Sequence, residues 1–490
     1  MKFTLGRARQ RPAPQRRARV TLAILVADGA RPDTLFRALD AGHLPALAAL
    51  RRDGGAHVVT SVFPSVTGPA YIPFLMGLHP GEAGVPGIRW WDRAGTRAYA
   101  AGRARSYVGF EALRQDGDLV ASHPTLFELA ARPLAAMTPI GRGLRDGQRL
   151  DAGIASWPRM AWTHFRGDVR GWLALERELI DRVAARVVRD RPDLVFLGHP
   201  GIDKLSHQLG QEAPSVLDAL RLVDETVARL RDDAARHGRP MRFLVVSDHG
   251  HAPVRAHEDL AGTVAALGHG VLAHPWTFAG GDDVAVMVSG NAMAHLHVEL
   301  GRRDRPWWPA LAARWEPLAA ALLRREAVEL LLLPHGPGRC EVRSRTGGRA
   351  MVERGAEGRF AYRTIDGDPL GLAAALGPSG AAERLDVDDA WALTRDTAYP
   401  DALVQVLALA GSSRAGDLIV SASPGWDLRS RWEPIPHVSS HGSLRAEHLL
   451  VPLLCSEPPR ARPRRTTEVF RLARAACPAA TAAPTSPRAG

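Results

Sequence analysis

The chain has 490 residues, 46% of them hydrophobic, so it can bury a large core, and its length allows about two to four domains. Its formal charge of +11 and pI near 10.5 come partly from two end segments, RARQRPAPQRRAR at 7–19 and RARPRR at 460–465. Arg exceeds Lys throughout, and no aromatic interleaving or nucleic-acid-binding module accompanies the charge, so the composition argues against nucleic acid as a partner and leaves the basic flanks as a surface for other anions.

The three cysteines, Cys340, Cys455 and Cys477, have neither metal-site spacing nor the pattern of a disulfide scaffold. The first apolar run, VTLAILVA at 20–27, is too short to span a membrane, ends in Asp28 and lacks a small-residue cleavage site. A cytoplasmic protein with no transmembrane segment is therefore expected. Oligomeric state leaves no signal.

Residues 1–19 read as a flexible basic arm. VTLAILVA then reads as a strand buried on both faces. DGARPDTL forms a loop, followed by a helix whose register includes Leu44, Leu47 and Leu50. VVTSVFPS (58–65) is extended, and TGPAYIPFLMG (67–77) opens a helix, with Thr67 near the cap and Pro69 in the first turn. DLVFLG (193–198), RFLVVS (242–247), DLIVSA (417–422) and LLVPLLC (449–455) are further strands. Between the first two of these, residues 216–234 place Leu217, Leu220, Val223, Val227 and Leu230 at helical spacing, which predicts an amphipathic helix. Apolar strands separated by long helices predict an α/β fold with a mostly parallel central sheet flanked by helices.

Residues 93–160 and 280–400 fit this alternation poorly. The second stretch holds DVAVMVSG, HLHVEL, a leucine-rich helix near 316–333 and a glycine-turned hairpin over 340–364. It reads as a cap subdomain inserted into a catalytic domain over 20–460. Residues 461–490 read as a partly disordered tail.

Polar groups collect where the strands end. VVSDHGH (245–251) runs a buried strand into Asp248, His249 and His251. Asp28 ends the first strand, Thr67 follows the extended segment, GHPGIDKLSHQLG follows the strand at 193–198, and HVSSHGSLRAEH, with His437 and His441, precedes the last strand. Ligands of open α/β sheets sit beyond the carboxyl ends of the strands, so these groups can converge. Three Asp with several His form a mixed oxygen and nitrogen set suited to zinc, or less selectively to manganese or iron. Asp203 and His207 are four apart and share one face of a local helix. Asp248 and His249 are adjacent, yet both can bend toward one ion at a strand-to-loop turn. Two cations would offset the carboxylate repulsion and account for burying so much polarity. Singly, each group has a plainer reading: Asp28 as a turn cap, Thr67 as a helix cap, the Asp203–His207 pair as a solvated face, His251 and His437 as polar loop residues. The ordered set favours a site.

DGARPD (28–33), FPSVTGPAYIPFLMGLHPGEAGVPG (63–87), the 198–210 segment, SDHGH (247–251) and SHG (440–442) together resemble the alkaline phosphatase superfamily, in its type I phosphodiesterase and nucleotide pyrophosphatase branch, over about residues 20–456. The resemblance implies an alkaline-phosphatase-like fold and a hydrolase of small-molecule phosphodiesters or pyrophosphates. It implies two zinc ions (Mn2+ or Fe being alternatives), one held by Asp203, His207 and His441, the other by Asp28, Thr67, Asp248 and His249. Thr67 would be the nucleophile and form a phospho-threonine. The Gly68 N–H would meet a phosphate oxygen, and Trp90 and Trp91 would line a leaving-group pocket or serve the core. Ala70 stands where the branch carries Asn three residues after the nucleophile, so a donor there would have to come from an inward-turned Tyr71. No C-x-P-x-R motif points to the sulfatases. Other activities of the superfamily (phosphomonoesterase, phosphonate hydrolase, phosphotransferase) and a non-catalytic binding protein of the same fold are the alternatives.

Overall fold

The computed structural model describes residues 20–95, 103–150, 157–275, 283–372, 375–376, 381–429 and 437–476. The basic arm expected at 1–19 and the chain from 477 on, with Cys477, lie outside the described residues.

Six strands form the central sheet: β1 (Thr21–Ala27), β2 (Ala56–Thr60), β3 (Pro133–Ala136), β4 (Leu194–His199), β5 (Met241–Val246) and β6 (Leu450–Cys455). Their order is β2–β6–β5–β1–β4–β3. β1 runs parallel to β4 and β5, and β3 to β4, whereas β6 is antiparallel to both β5 and β2. The central strands are apolar on both faces because both faces are covered. Ala23 and Leu25 of β1 with Val195 and Leu197 of β4 pack under helices Pro32–Asp40, Pro45–Asp53, Val169–Asp190 and Pro214–Arg236. Leu22, Ile24, Leu194 and Phe196 face helices Ile72–Met76, Leu126–Leu129 and Glu468–Ala476. Helix Pro214–Arg236 is the one predicted from its spacing. Leu220, Val223, Val227 and Leu230 are buried as expected, whereas Leu217 is only partly buried and Val216 beside it takes the inner position; each fully buried aliphatic contributes about 1.5–3 kcal/mol.

A second, nine-stranded sheet occupies the irregular region, ordered 271–273, 284–289, 293–298, 418–422, 328–336, 339–344, 348–354, 360–367 and 381–385. Three sequence expectations change here. The leucine-rich run is not one helix: the helix is Trp308–Leu323, and Leu330–Leu333 belong to the strand Val328–Gly336. A short run of leucines is compatible with either state, and tertiary burial decides: Leu331 and Leu333 pack under helix Trp308–Leu323, Leu330 and Leu332 under helix Ala402–Ala410. The strand at Leu418–Ala422, read with the parallel set, is antiparallel to both neighbours in the second sheet. The predicted hairpin is a three-stranded meander over 339–367.

The second sheet also touches the strand ends of the first. Its turn at 289–292 abuts Val66, against which a Cβ on Gly290 would lie at 2.1 Å, and Ala292 N–H bonds the His441 carbonyl at 3.1 Å. At the other end of the chain, Arg465 makes paired hydrogen bonds of 2.8 and 2.7 Å to buried Asp401, and Val469 and Ala473 enter the core. Cys340 and Cys455 are buried free thiols. Among the described residues, no helix is long and apolar enough to cross a membrane.

Candidate metal centre

The parallel strands bring their carboxyl ends to one edge, and that edge carries the polar groups. Asp28 follows β1, Asp248 and His249 follow β5, and helix Gly201–Leu209 follows β4 with Asp203 and His207 one turn apart on its inner face. His441 follows a two-residue strand, Ser439–Ser440, that pairs with Ala252–Pro253 just beyond β5.

Thr67 is not a helix cap. The cap of the short turn Pro69–Tyr71 is Gly68, whose φ of 94° favours glycine, and the turn runs on into helix Ile72–Met76. Thr67 is thereby left at the mouth, partly exposed. Its Oγ1 lies 3.2 Å from Asp28 Oδ1 and 3.1 Å from His249 Nε2. The His249 Nε2 is in turn 3.4 Å from Asp28 Oδ1 and 3.4 Å from Asp248 Oδ2. A second group gathers on Asp203 Oδ1, with His207 Nε2 at 3.2 Å, His441 Nε2 at 3.5 Å and His251 Nε2 at 2.9 Å. Within each group, Asp28–Asp248–His249 and Asp203–His207–His251–His441, one donor atom per residue falls within 4.8 Å of all the others. The rings of His249 and His441 stack at 3.6 Å and join the two groups.

The donor set fits cations. Asp248 Oδ2 is buried and accepts no hydrogen bond, a costly state for a carboxylate oxygen unless a positive charge faces it. The tautomers also fit. His207 Nδ1 is bonded to the Ser439 carbonyl at 2.8 Å, His441 Nδ1 to the Ser65 carbonyl at 2.9 Å and His249 Nδ1 to the Gly250 carbonyl at 3.1 Å. A carbonyl only accepts, so each Nδ1 carries a hydrogen and Nε2 is the nitrogen turned toward the acids, the arrangement of a metal-ligating histidine.

The electrostatics point the same way. Burial, then the charges of Asp248 and Asp203, raises the Asp28 carboxyl well above its usual range. Burial and Asp203 likewise raise Asp248, although His249 opposes the shift. Burial also acts against ionised Asp203, but His207 and Lys204, whose Nζ is 3.1 Å from Oδ2, outweigh it and hold Asp203 well below that range. Three buried carboxylates on one edge thus have a single lysine as fixed counter-charge near them, and bound cations would supply the rest.

The remaining sequence candidates divide. Tyr71 is turned inward and fully buried, but its hydroxyl donates to Asp28 Oδ2 at 3.1 Å, so it orients a carboxylate and is not free to meet a phosphate. Trp90 and Trp91 are core residues: Trp90 is fully buried with Nε1 donating to Tyr107 at 3.2 Å, and Trp91 packs with Leu272, Ala285 and Met287. His437 stacks on His207 at 4.2 Å, outside both ligand groups. Ala70 is buried and offers no donor. Two groups were not anticipated. Lys204 sits inside a quoted motif with no spacing signal of its own. Gln115 lies in a motif-free 3-10 segment, Gly109–Gly117, and its buried amide faces Gly68, whose missing Cβ would be 3.2 Å from Oε1. Among the described residues, neither amide atom of Gln115 has a hydrogen-bond partner.

Comparison with known proteins agrees with this geometry. Residues 22–304 match the family described as Type I phosphodiesterase / nucleotide pyrophosphatase. Phosphonoacetate hydrolase from Sinorhizobium meliloti 1021, solved with phosphonoacetate, superposes with a TM-score of 0.55 at 15% identity, covering 94% of this chain and 96% of that one. Human ectonucleotide pyrophosphatase / phosphodiesterase 5 superposes with a TM-score of 0.53 at 13% identity, covering 92% and 93%. At these identities the likeness establishes the fold. No curated protein matches the chain in sequence.

Proposed function

Because the chain belongs to the type I phosphodiesterase / nucleotide pyrophosphatase family and is a phosphoric ester hydrolase with two groups of metal-binding character, we propose that it cleaves phosphodiester or pyrophosphate bonds of small molecules through a phospho-threonine at Thr67, with two zinc ions as cofactors. The observation that carries this reading is the position of the Thr67 hydroxyl, partly exposed and within 3.2 Å of Asp28 and 3.1 Å of His249, where the two ligand groups meet.

In this reading Asp28, Asp248, His249 and Thr67 hold one ion and Asp203, His207 and His441 the other, which the clustering of the two acid and imidazole groups supports. Bound there, zinc would act as a Lewis acid, offsetting the buried carboxylates and the charge that develops on the attacking and departing oxygens. The chain's own residues do the rest. Asp28, pinned by Tyr71, holds the Thr67 hydroxyl and is the carboxylate nearest its proton. The Thr67 Oγ–P bond forms as the bond from phosphorus to the leaving alcohol or phosphate breaks. Water then displaces Thr67 from phosphorus and restores the hydroxyl. Lys204 supplies a fixed positive charge beside the anionic substrate while holding Asp203.

The test is Thr67→Ala beside Thr67→Ser, assayed on bis(4-nitrophenyl) phosphate and on 4-nitrophenyl phosphate. The Ala variant should fold, retain metal and lose roughly 10³-fold or more in kcat, the scale on which a missing nucleophile is read. The Ser variant should keep measurable turnover. Wild type quenched in acid during turnover should yield a phosphorylated peptide containing Thr67. A metal-loaded Ala variant with near wild-type turnover refutes the covalent route, and a strong preference for the monoester refutes the diesterase assignment.

A further inference from the structure

One imidazole at this edge belongs to neither ligand group. We propose that His437 contacts the substrate, its Nε2–H donating a hydrogen bond to the oxygen that departs from phosphorus, and that Asn291, in a turn of the second sheet, positions it. This rests on the hydrolase reading above and adds to it a residue on the leaving-group side.

Three observations carry the assignment. First, His437 sits at the mouth. His207, His249, His251 and His441 are all buried, whereas His437 is partly exposed. Its ring stacks on that of His207 at 4.2 Å, with 30° between the planes, and the Val438 N–H donates to the His207 carbonyl at 2.9 Å. Ring and backbone thus hold His437 against one member of the Asp203 group, and Asp203 and Lys204 both act electrostatically on it. Second, its two nitrogens have different tasks. Nδ1 lies 2.8 Å from Asn291 Nδ2. An amide NH2 only donates, so Nδ1 is the acceptor and the ring hydrogen is on Nε2. Among the described residues Nε2 has no partner, which leaves one free N–H beside the site. Third, the amide is held in place. Gly290 and Asn291 form the turn with φ of 66° and 63°, and the turn is fixed by the Ala292 N–H on the His441 carbonyl at 3.1 Å and the Leu428 N–H on the Asn291 carbonyl at 2.5 Å. Left-handed backbone accounts for an Asn at this position but not for an amide directed at His437.

The displacement decides which oxygen His437 meets. Thr67 Oγ1 attacks from the Asp28 group, and in an in-line reaction the departing oxygen leaves on the far side of phosphorus. The Asp203 group lies across from Asp28, joined to it by the stacked rings of His249 and His441, and His437 flanks that group at its exposed side. As the bond from phosphorus to the departing oxygen breaks, its electron pair and negative charge pass to that oxygen. A fixed N–H stabilises the charge more in the transition state than in the bound substrate. The hydrogen stays on Nε2, and a released alcohol takes its proton from water.

The experiment compares zinc-loaded wild type with His437→Ala, His437→Gln and Asn291→Asp on two esters of methyl phosphate, one releasing 4-nitrophenolate and the other phenolate. Zinc content and kcat/KM are measured at about pH 9, where a free imidazole carries a single hydrogen. Phenolate is the poorer leaving group and depends more on a donor. His437→Ala should keep its zinc and lose roughly 10²-fold on the phenyl ester, at least about fivefold more than on the nitrophenyl ester. His437→Gln places an amide N–H near the position of Nε2 and should recover part of that loss. Asn291→Asp retains a residue that tolerates the turn but faces Nδ1 with an acceptor, which draws the ring hydrogen away from Nε2, so it should reproduce the selective loss. Equal losses on both esters, or a lower zinc content in His437→Ala, make His437 a mere support of His207 and overturn the inference with the two-metal reading intact. Unchanged kcat/KM on both esters overturns it as well. Wild type that cleaves neither ester overturns the diesterase reading, and the inference with it.

Discussion

Changing Gly29 to Ala adds one methyl group beside the site and gives a sharp test of how tightly it is built. Gly29 follows Asp28 with φ +75°, and its N–H donates to Asp248 Oδ1 at 3.2 Å. Left-handed backbone costs an L-residue about 1–2 kcal/mol. The new Cβ would lie 2.9 Å from His251 Nε2 and 3.1 Å from the Asp203 Cα, against an optimal carbon contact of about 3.5–4.0 Å. Relief thus requires a shift of roughly half an ångström or more. Asp203 is set in helix Gly201–Leu209 and Asp28 at the end of the central strand, so the His251 ring is the group that must move. Overpacking of this kind adds about 1–3 kcal/mol, for a total destabilisation of about 2–5 kcal/mol. Urea unfolding of metal-free wild type and Gly29→Ala reads the backbone and packing cost. Zinc titration of both reads the displaced imidazole, with an expected affinity loss of about tenfold or more. If Gly29→Ala unfolds within about 0.5 kcal/mol of wild type and binds zinc equally, the close packing described at this edge is wrong.

Metal removal should show in stability as well as activity. Stripping the protein with a chelator should abolish turnover and lower the unfolding midpoint, and zinc should restore both better than magnesium, which prefers an all-oxygen octahedral shell. Arg465→Ala would leave Asp401 buried with its main counter-charge gone and should cost about 3–5 kcal/mol in urea unfolding; Gln405, 2.9 Å from Asp401, offers a hydrogen bond and no charge. Acidification should destabilise the fold through His295, whose Nε2–H donates to the Pro86 carbonyl at 3.0 Å while Nδ1 accepts from the Gly416 N–H at 3.1 Å. Burial lowers this imidazole from 6.5 to about 4, so the unfolded chain takes up a proton first and stability falls as pH drops from about 6.5 toward 4. At about 1.4 kcal/mol per pK unit the loss is roughly 3 kcal/mol, and urea midpoints of wild type and His295→Asn at pH 7 and pH 4.5 should show a shallower fall in the variant.

Much of the central layer is legible in the chain itself. VTLAILVA, DLVFLG and RFLVVS are apolar at consecutive positions because both faces of β1, β4 and β5 are covered, and helix Pro214–Arg236 carries its buried stripe at helical spacing. The acids and imidazoles that interrupt those runs mark the strand ends, and their order along the chain carries the family resemblance. Other features were settled only by packing. Leu330–Leu333 are strand because helices press on both sides of them, and Leu418–Ala422 joins the second sheet because its partners are 293–298 and 328–336. Tyr71 turns to Asp28, Trp90 sinks into the core, and Gln115 comes to face Gly68. His251 reads as a loop residue in sequence, 48 positions from Asp203, yet the parallel register pairing Val26 with Gly198 on one side and Val246 on the other brings the ends of β4 and β5 level across β1, and the segments beyond them close that separation to 2.9 Å. Local pattern records how much of each residue is buried and which elements can form. Which buried groups meet depends on strand register and on turns held by distant contacts, and those belong to the folded chain as a whole.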